Sequence, residues 1–262
     1  MSTSSLKTID KAIDLLWAIA QGSGSSSVEE LSSEIRLPKS TTYRFLKTLQ
    51  TRGFVDASAE YGKYRLGPSL SLLSKNGSQN GQLGTLCELA LPVMRRLTSE
   101  TGETTFLCIK SGRETICIEC IESRQSMITR FFVGEVRPLH VGAASKALLA
   151  FLPDRDIETI VQQKLSRVTT STITDPVKLR NELKEIREKG HAYSDQEFIV
   201  GARAISAPVF DEPGAVAASL TLSAPVHRIE NSNREILAAR VVGAAREVSA
   251  SLGWKEAQTQ QS

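Results

Sequence analysis

Cysteine is scarce in this chain. Its 262 residues hold four, Cys87, Cys108, Cys117 and Cys120. That is too few for a disulfide scaffold and fits a reducing, cytoplasmic setting. Long apolar runs are missing too, since none approaches the roughly 20 residues of a membrane-spanning helix. The opening MSTSSLKTID lacks the apolar stretch that directs export. Neither charge dominates: 32 Lys and Arg stand against 29 Asp and Glu, a net +3 that says little about partners until its distribution is read. Histidine is limited to His140, His191 and His227, and no H-E-x-x-H, Ser/His/Asp, Walker A or G-x-G-x-x-G pattern accompanies them. Cys117 and Cys120 have the C-x-x-C spacing of half a zinc site, but no second pair stands at a suitable distance. On a strand, residues three apart point to opposite faces, so two ordinary buried thiols are expected there. No catalytic residue, cofactor or metal site is expected.

What is present is a core-forming composition, 40% hydrophobic and 23% charged. The length allows one or two domains. The stretch SKNGSQNGQLG, Ser74 to Gly84, has the Gly, Asn, Ser and Gln content of a boundary. Residues 6–68 are therefore read as a first domain, 69–84 as a linker and 85–254 as a second domain.

The first domain reads as three helices and a hairpin. Ile9, Ala12, Ile13, Leu16, Ile19 and Ala20 recur at helical spacing. Ser27 with Glu30 has the form of a capping box, opening a second helix with Val28, Leu31 and Ile35 as its buried stripe. Pro38 suits the first turn of a third helix. On that helix Thr42, Phe45, Leu46 and Leu49 share one face, and Ser40, Tyr43, Arg44 and Lys47 the other. Phe54 with Asp56, and Tyr64 with Leu66, read as two short strands, with Lys63 and Arg65 on the side opposite Tyr64 and Leu66. Charge segregates here. Arg36, Lys39, Arg44, Lys47 and Arg52 fall between residues 36 and 53 without one acid. A basic, polar helix face beside a basic hairpin suits major-groove contact by the helix and backbone contact by the hairpin.

The second domain mixes both element types. Residues 83–100 read as a helix, TTFLCIK and ETICIECI as a hairpin, and SMITRFFV as a third strand. Residues 144–151 and 177–188 read as helices, ARAISAPVFD and GAVAASLTLSAP as strands around a D-E-P-G turn, and 227–252 as a long amphipathic helix. In VGAASKALLA, small residues precede a helix; they suit either a ligand carboxylate at the first amides or close packing. YSDQEFIVGARAISAPVFD fits a buried polar pocket and a surface loop equally.

Taken together, LKTIDKAIDLLWAIA, LPKSTTYRFLKTLQTRGFV, YRLG, RPLHVGAASKALLAFLP and GHAYSDQEFIVGARAISAPVFDEPGAVAASLTLSAP resemble the isocitrate-lyase-regulator (IclR-type) transcription factors. The likeness runs in family order from about residue 6 to about residue 252. It implies an α+β architecture: a winged helix-turn-helix joined to a GAF-like effector domain with helices around an antiparallel sheet. It also implies double-stranded operator DNA as one partner, a small organic or aromatic acid or related compound as another, and homodimers or dimers of dimers. The DNA contacts would come from Lys39, Ser40, Thr41, Tyr43, Arg44, Lys47, Lys63 and Arg65. The effector would meet Met127, Thr129, Ala143, Ala144, Ser145, Ser194, Asp195, Glu197, Ala204, Thr221 and Ser223. Three positions depart from the family pattern. Ser145 stands where Gly is frequent, Ser194 where an acid is common, and Ala204 where a cysteine is common.

The leading expectation is an effector-responsive regulator of a catabolic operon, acting in the cytoplasm. The competing one is an enzyme turning over a small acid, with the winged helix as a regulatory appendage. Asp195 and Glu197 would have to supply its chemistry, and the sequence offers them no nucleophile–base pair. A third reading, an adaptor whose winged helix binds protein, differs in lacking the steep salt dependence of DNA binding.

Overall fold

The structure, a computed structural model, describes residues 7–22, 25–77, 82–125 and 132–255. The chain divides into two compact units, Met1–Leu83 and Gly84–Ser262.

In the first unit, α1 (Lys7–Gln21) is followed by β1 (Ser26–Ser27), α2 (Val28–Glu34), α3 (Lys39–Thr51), β2 (Val55–Ala57), β3 (Lys63–Leu66) and α4 (Pro68–Gly77). The capping box forms as its spacing dictates. Ser27 Oγ accepts from the Glu30 amide at 3.2 Å, and the Glu30 carboxylate accepts from the Ser27 amide at 2.7 Å. A left-handed Arg36 turns the chain between α2 and α3. Pro38 sits at the cap just before α3 rather than inside its first turn. The sheet has order β1-β3-β2, one strand more than the sequence pattern reveals, because Ser26 and Ser27 pair with Tyr64 and Lys63. Leu15, Ala18, Ile19, Leu31, Leu46, Val55 and Tyr64 close the core.

Three expectations change here. The core-facing stripe of α1 is rotated: Leu15 and Ala18 turn inward, whereas Ile9, Ile13 and Trp17 stay 54%, 47% and 38% exposed. The helix carries apolar side chains on two faces, and periodicity alone does not choose between them. In β3 only Tyr64 is buried; Leu66 faces outward near the strand end. Residues 69–77, placed in the linker by composition, are helical as part of α4.

The second unit runs α5 (Gln82–Thr101, beginning just before the unit boundary), β4 (Thr104–Ser111), β5 (Glu114–Ile121), β6 (Val136–Pro138), α6 (Gly142–Leu149), α7 (Asp154–Val161), α8 (Pro176–Lys189), β7 (Ala192–Asp195), β8 (Ala202–Phe210), β9 (Val216–Pro225) and α9 (Arg234–Ser251). The sheet is antiparallel throughout, in order β6-β5-β4-β9-β8-β7. It separates two cores. On one face Leu107, Ile205, Ala207, Leu220 and Leu222 pack with α5 and α9. On the other Phe106, Cys108 and Cys117 pack with α6, α7 and α8. Alternation along the strands sends successive buried side chains to opposite cores, except at the irregularity between β4 and β5.

The hairpin β4–β5 and the pair β8–β9 lie where the sequence pattern puts them. The final helix begins at Arg234, seven residues later than expected, because Glu230 and Asn233 form a local turn first, with the Glu230 amide donating to Asn233 Oδ1 at 2.9 Å. The expected strand SMITRFFV falls mostly on residues 126–131, outside the described residues. The parity argument for Cys117 and Cys120 also fails. An irregularity beside Leu107 and Cys108 pairs Cys117 with Cys108 but Cys120 with Phe106, so both thiols face the same core. Burial pushes the Cys108 thiol up and that of Cys120 up to about 12, which keeps them protonated. No group of three or more His, Cys, Asp or Glu among the described residues is placed to hold a metal ion.

Candidate functional site

The first site is the outward face of α3. Thr42 and Leu46 anchor the helix in the core. That leaves Lys39, Ser40, Tyr43, Arg44 and Lys47 exposed and Thr41 half-buried. Lys47 lies 5.5 Å from the centre of the Tyr43 ring and donates to Gln50 at 3.1 Å, so the two long side chains are pre-arranged. Lys39 pairs with Glu29 of α2 at 2.9 Å, and that ammonium holds Glu29 below the usual carboxylate range. Both partners are exposed, so a phosphate can compete for Lys39 at little cost. On the hairpin, Lys63 pairs with Glu60 at 2.6 Å and Arg65 with Asp56 at 3.4 Å. One feature escaped the sequence reading. A groove of about 460 Å³ between the start of α1 and α3 is lined by Lys7, Lys11, Thr41, Arg44 and Thr48. Two bases four residues apart on one helix were the available signal.

The second site lies between the start of α6 and the sheet. Register builds its wall. Ser194, Ala204, Ser223 and Thr104 are neighbours across β7, β8, β9 and β4. Ala143 and Ala144 of α6 close over Ser194, Ala204 and Ser223. Gly142 has φ +80°, a left-handed geometry that suits glycine, and a Cβ there would stand 3.7 Å from Phe198 Cβ and 3.9 Å from Ser194 Oγ. The enclosed space is about 20 Å³, room for hardly more than a water molecule. Phe106, Arg137, Phe198, Ile199 and Ala202, which the sequence pattern did not single out, also line it.

The expected effector residues do not all meet. Ala143, Ala144, Ser194, Ala204 and Ser223 border the cavity. Thr221 does not; its hydroxyl is 2.8 Å from that of Ser206. Ser145 is fully buried and also off the lining. Asp195 is a correction. Strand parity turns it to the opposite face of the sheet, where Arg203 bonds it at 3.0 Å and holds it below the usual carboxylate range. Glu197 is another. Its carboxylate is internal, bonding Lys146 Nζ at 2.5 Å and accepting from the Gly142 amide at 3.3 Å. Lys146, with no exposed surface, also pairs with Glu182. Burial pushes Glu197 up, against the pull of Lys146. Met127 and Thr129 lie outside the described residues.

Comparison with known proteins decides the lineage. Residues 8–58 match the IclR helix-turn-helix domain, and residues 83–250 match the bacterial transcriptional regulator IclR C-terminal domain. The chain belongs to the IclR family. Among its relatives, the transcriptional repressor IclR of Escherichia coli (strain K12) is 31% identical over 255 residues, covering 96% of this chain and 92% of the relative. The crystal structure of Thermotoga maritima IclR superposes with a TM-score of 0.71 at 26% identity, covering 95% of this chain and all of that one. An IclR homologue from Microbacterium hydrocarbonoxydans, solved with 4-hydroxybenzoate, has the same fold, with a TM-score of 0.71 at 24% identity over 93% of this chain and 98% of that one. This IclR-family chain is an effector-responsive, DNA-binding transcriptional regulator and not an enzyme. Among the described residues no helix is long and apolar enough to cross a membrane.

Proposed function

We propose that this regulator reads operator DNA through the exposed face of α3 and the β2–β3 hairpin, and that a small acid in the α6 cavity sets its occupancy of that DNA. The observation that carries the reading is the face itself: Ser40, Tyr43, Arg44 and Lys47 exposed on a helix whose other side is locked in the core. Arg44 and Tyr43 reach base edges, Ser40 and Thr41 sit at the groove entrance, and Lys39, Lys47, Lys63 and Arg65 meet phosphates. The exposed stripe Ile9, Ile13 and Trp17 supports a homodimer, the arrangement that two-fold operators require, with a dimer of dimers as the larger assembly. The setting is the cytoplasm and the target a catabolic operon. A relative that holds 4-hydroxybenzoate supports an organic acid as effector. Selection of binding sites from random duplex DNA by the full-length chain tests this. Recovery of a two-fold sequence whose affinity falls steeply with salt is expected. Recovery of no sequence would overturn it.

A further inference from the structure

Among the described residues lining the α6 cavity, Arg137 is the one that carries a charge. It sits on β6 opposite Thr115, and only 3% of it is exposed. Its guanidinium carbon lies 4.3 Å from the centre of the Phe198 ring and 5.4 Å from that of Phe106. Nη2 donates to Glu135 at 2.7 Å, and burial pushes that carboxyl up against the pull of Arg137. At the start of α6 the Gly142 amide already donates to Glu197.

We propose that Arg137 is the anion anchor of the effector cavity, and that Phe198 is a built-in plug which a carboxylic acid must displace to reach it. This rests on the effector reading above and adds the residue and the ligand chemistry. Aromatic rings near a guanidinium favour contact along its in-plane N–H edge, the direction from which a carboxylate binds with two parallel hydrogen bonds. The Ser194 and Ser223 hydroxyls on the facing wall then suit a polar atom at the far end of the acid. The cavity holds about 20 Å³, so an acid cannot enter unless something leaves. Phe198 follows Gln196, a non-glycine residue held at φ +60°, and Gln196 Oε1 closes the loop by accepting from the Gly201 amide at 2.9 Å. That loop is the lining segment whose backbone departs from its preferred geometry. Displacing Phe198 makes room in the cavity for the incoming carboxylate, which then meets the guanidinium along its N–H edge.

The test uses the full-length protein and calorimetric binding of 4-hydroxybenzoate, benzoate and pyruvate, each against its uncharged amide. At least one acid is expected to bind, and each acid that binds should exceed its amide by about a hundredfold, the scale of one buried charge-assisted pair. Arg137→Met should remove that preference, and Arg137→Lys should restore it only in part, because an ammonium lacks the planar fork. Phe198→Ala should tighten acid binding about tenfold while keeping the preference for the acid, since no ring has to be displaced. Equal binding of acid and amide, binding of no acid, or weaker acid binding by Phe198→Ala would each overturn the proposal. Should Arg137→Met fail to fold, the acid-to-amide ratio of the wild type and the Phe198→Ala result still decide it. A wild type that selects DNA but takes up no acid sinks the anchor and leaves the regulator. One that selects no DNA sinks the regulator, whatever it does with acids.

Discussion

Arg44 and Lys146 show how differently two basic side chains are used. Arg44 is exposed and borders the groove between α1 and α3, so its removal touches no core contact. Arg44→Ala should weaken binding to the selected operator by about 1–3 kcal/mol if Arg44 reads a base. The melting temperature should stay where it is. Fluorescence anisotropy and calorimetry on the same variant check both halves, and unchanged operator affinity would remove Arg44 from the reading face. Lys146 is fully buried and holds two carboxylates, one of them the Glu197 that caps α6. Lys146→Met should cost about 3–5 kcal/mol by denaturant unfolding, because it strands the buried Glu197 carboxylate. Adding Glu197→Gln should recover part of that loss, the non-additivity expected of contacting residues. A strictly additive double variant would show that the pair is not coupled.

At the scale of elements, the hairpin and the long strands respond to different physics. Lys63 and Arg65 are tied only to exposed acids, Glu60 and Asp56, which phosphates can replace. Lys63→Ala or Arg65→Ala should lower affinity for all sequences alike and reduce the slope of log K against log salt by about one unit per lost contact. A variant that changed sequence preference at constant slope would make the hairpin a base reader instead. Element identity was largely legible in the sequence. The capping box, the β4–β5 hairpin and the β8–β9 pair each have local signals strong enough to fix them. The rest had none. β1 and β6 are too short to show alternation, and α4 lies in a polar stretch whose composition resembles a linker. At the cavity, Ser194, Ala204 and Ser223 were found through the family pattern. Asp195 was misplaced because a cluster of polar residues in a row hides the parity of the strand. Arg137 went unnoticed because nothing next to it in sequence marks it as buried; Phe106 and Phe198 come to it from distant parts of the chain.

For the whole molecule, the exposed stripe on α1 sets the expectation. Ile9, Ile13 and Trp17 recur every four residues on one face, keep much of their surface exposed and stand outside the core of their own unit. Ile13→Glu should shift the protein toward monomer in sedimentation velocity and weaken operator binding, because a lone winged helix offers few contacts. An unchanged sedimentation coefficient would place the dimer contact elsewhere.

The two-sided sheet has a consequence for descent. In β8 and β9 the residues that meet the α6 cavity alternate with those that pack on the α5–α9 side. If the proposed effector site is right, point substitutions at Ala204 or Ser223 retune what is sensed while the other wall is inherited unaltered. A one-residue insertion or deletion would turn both walls over together. Lineages carrying this sheet are free to change their chemical taste by exchange of single residues, and are held to constant length in the strands that do the tasting.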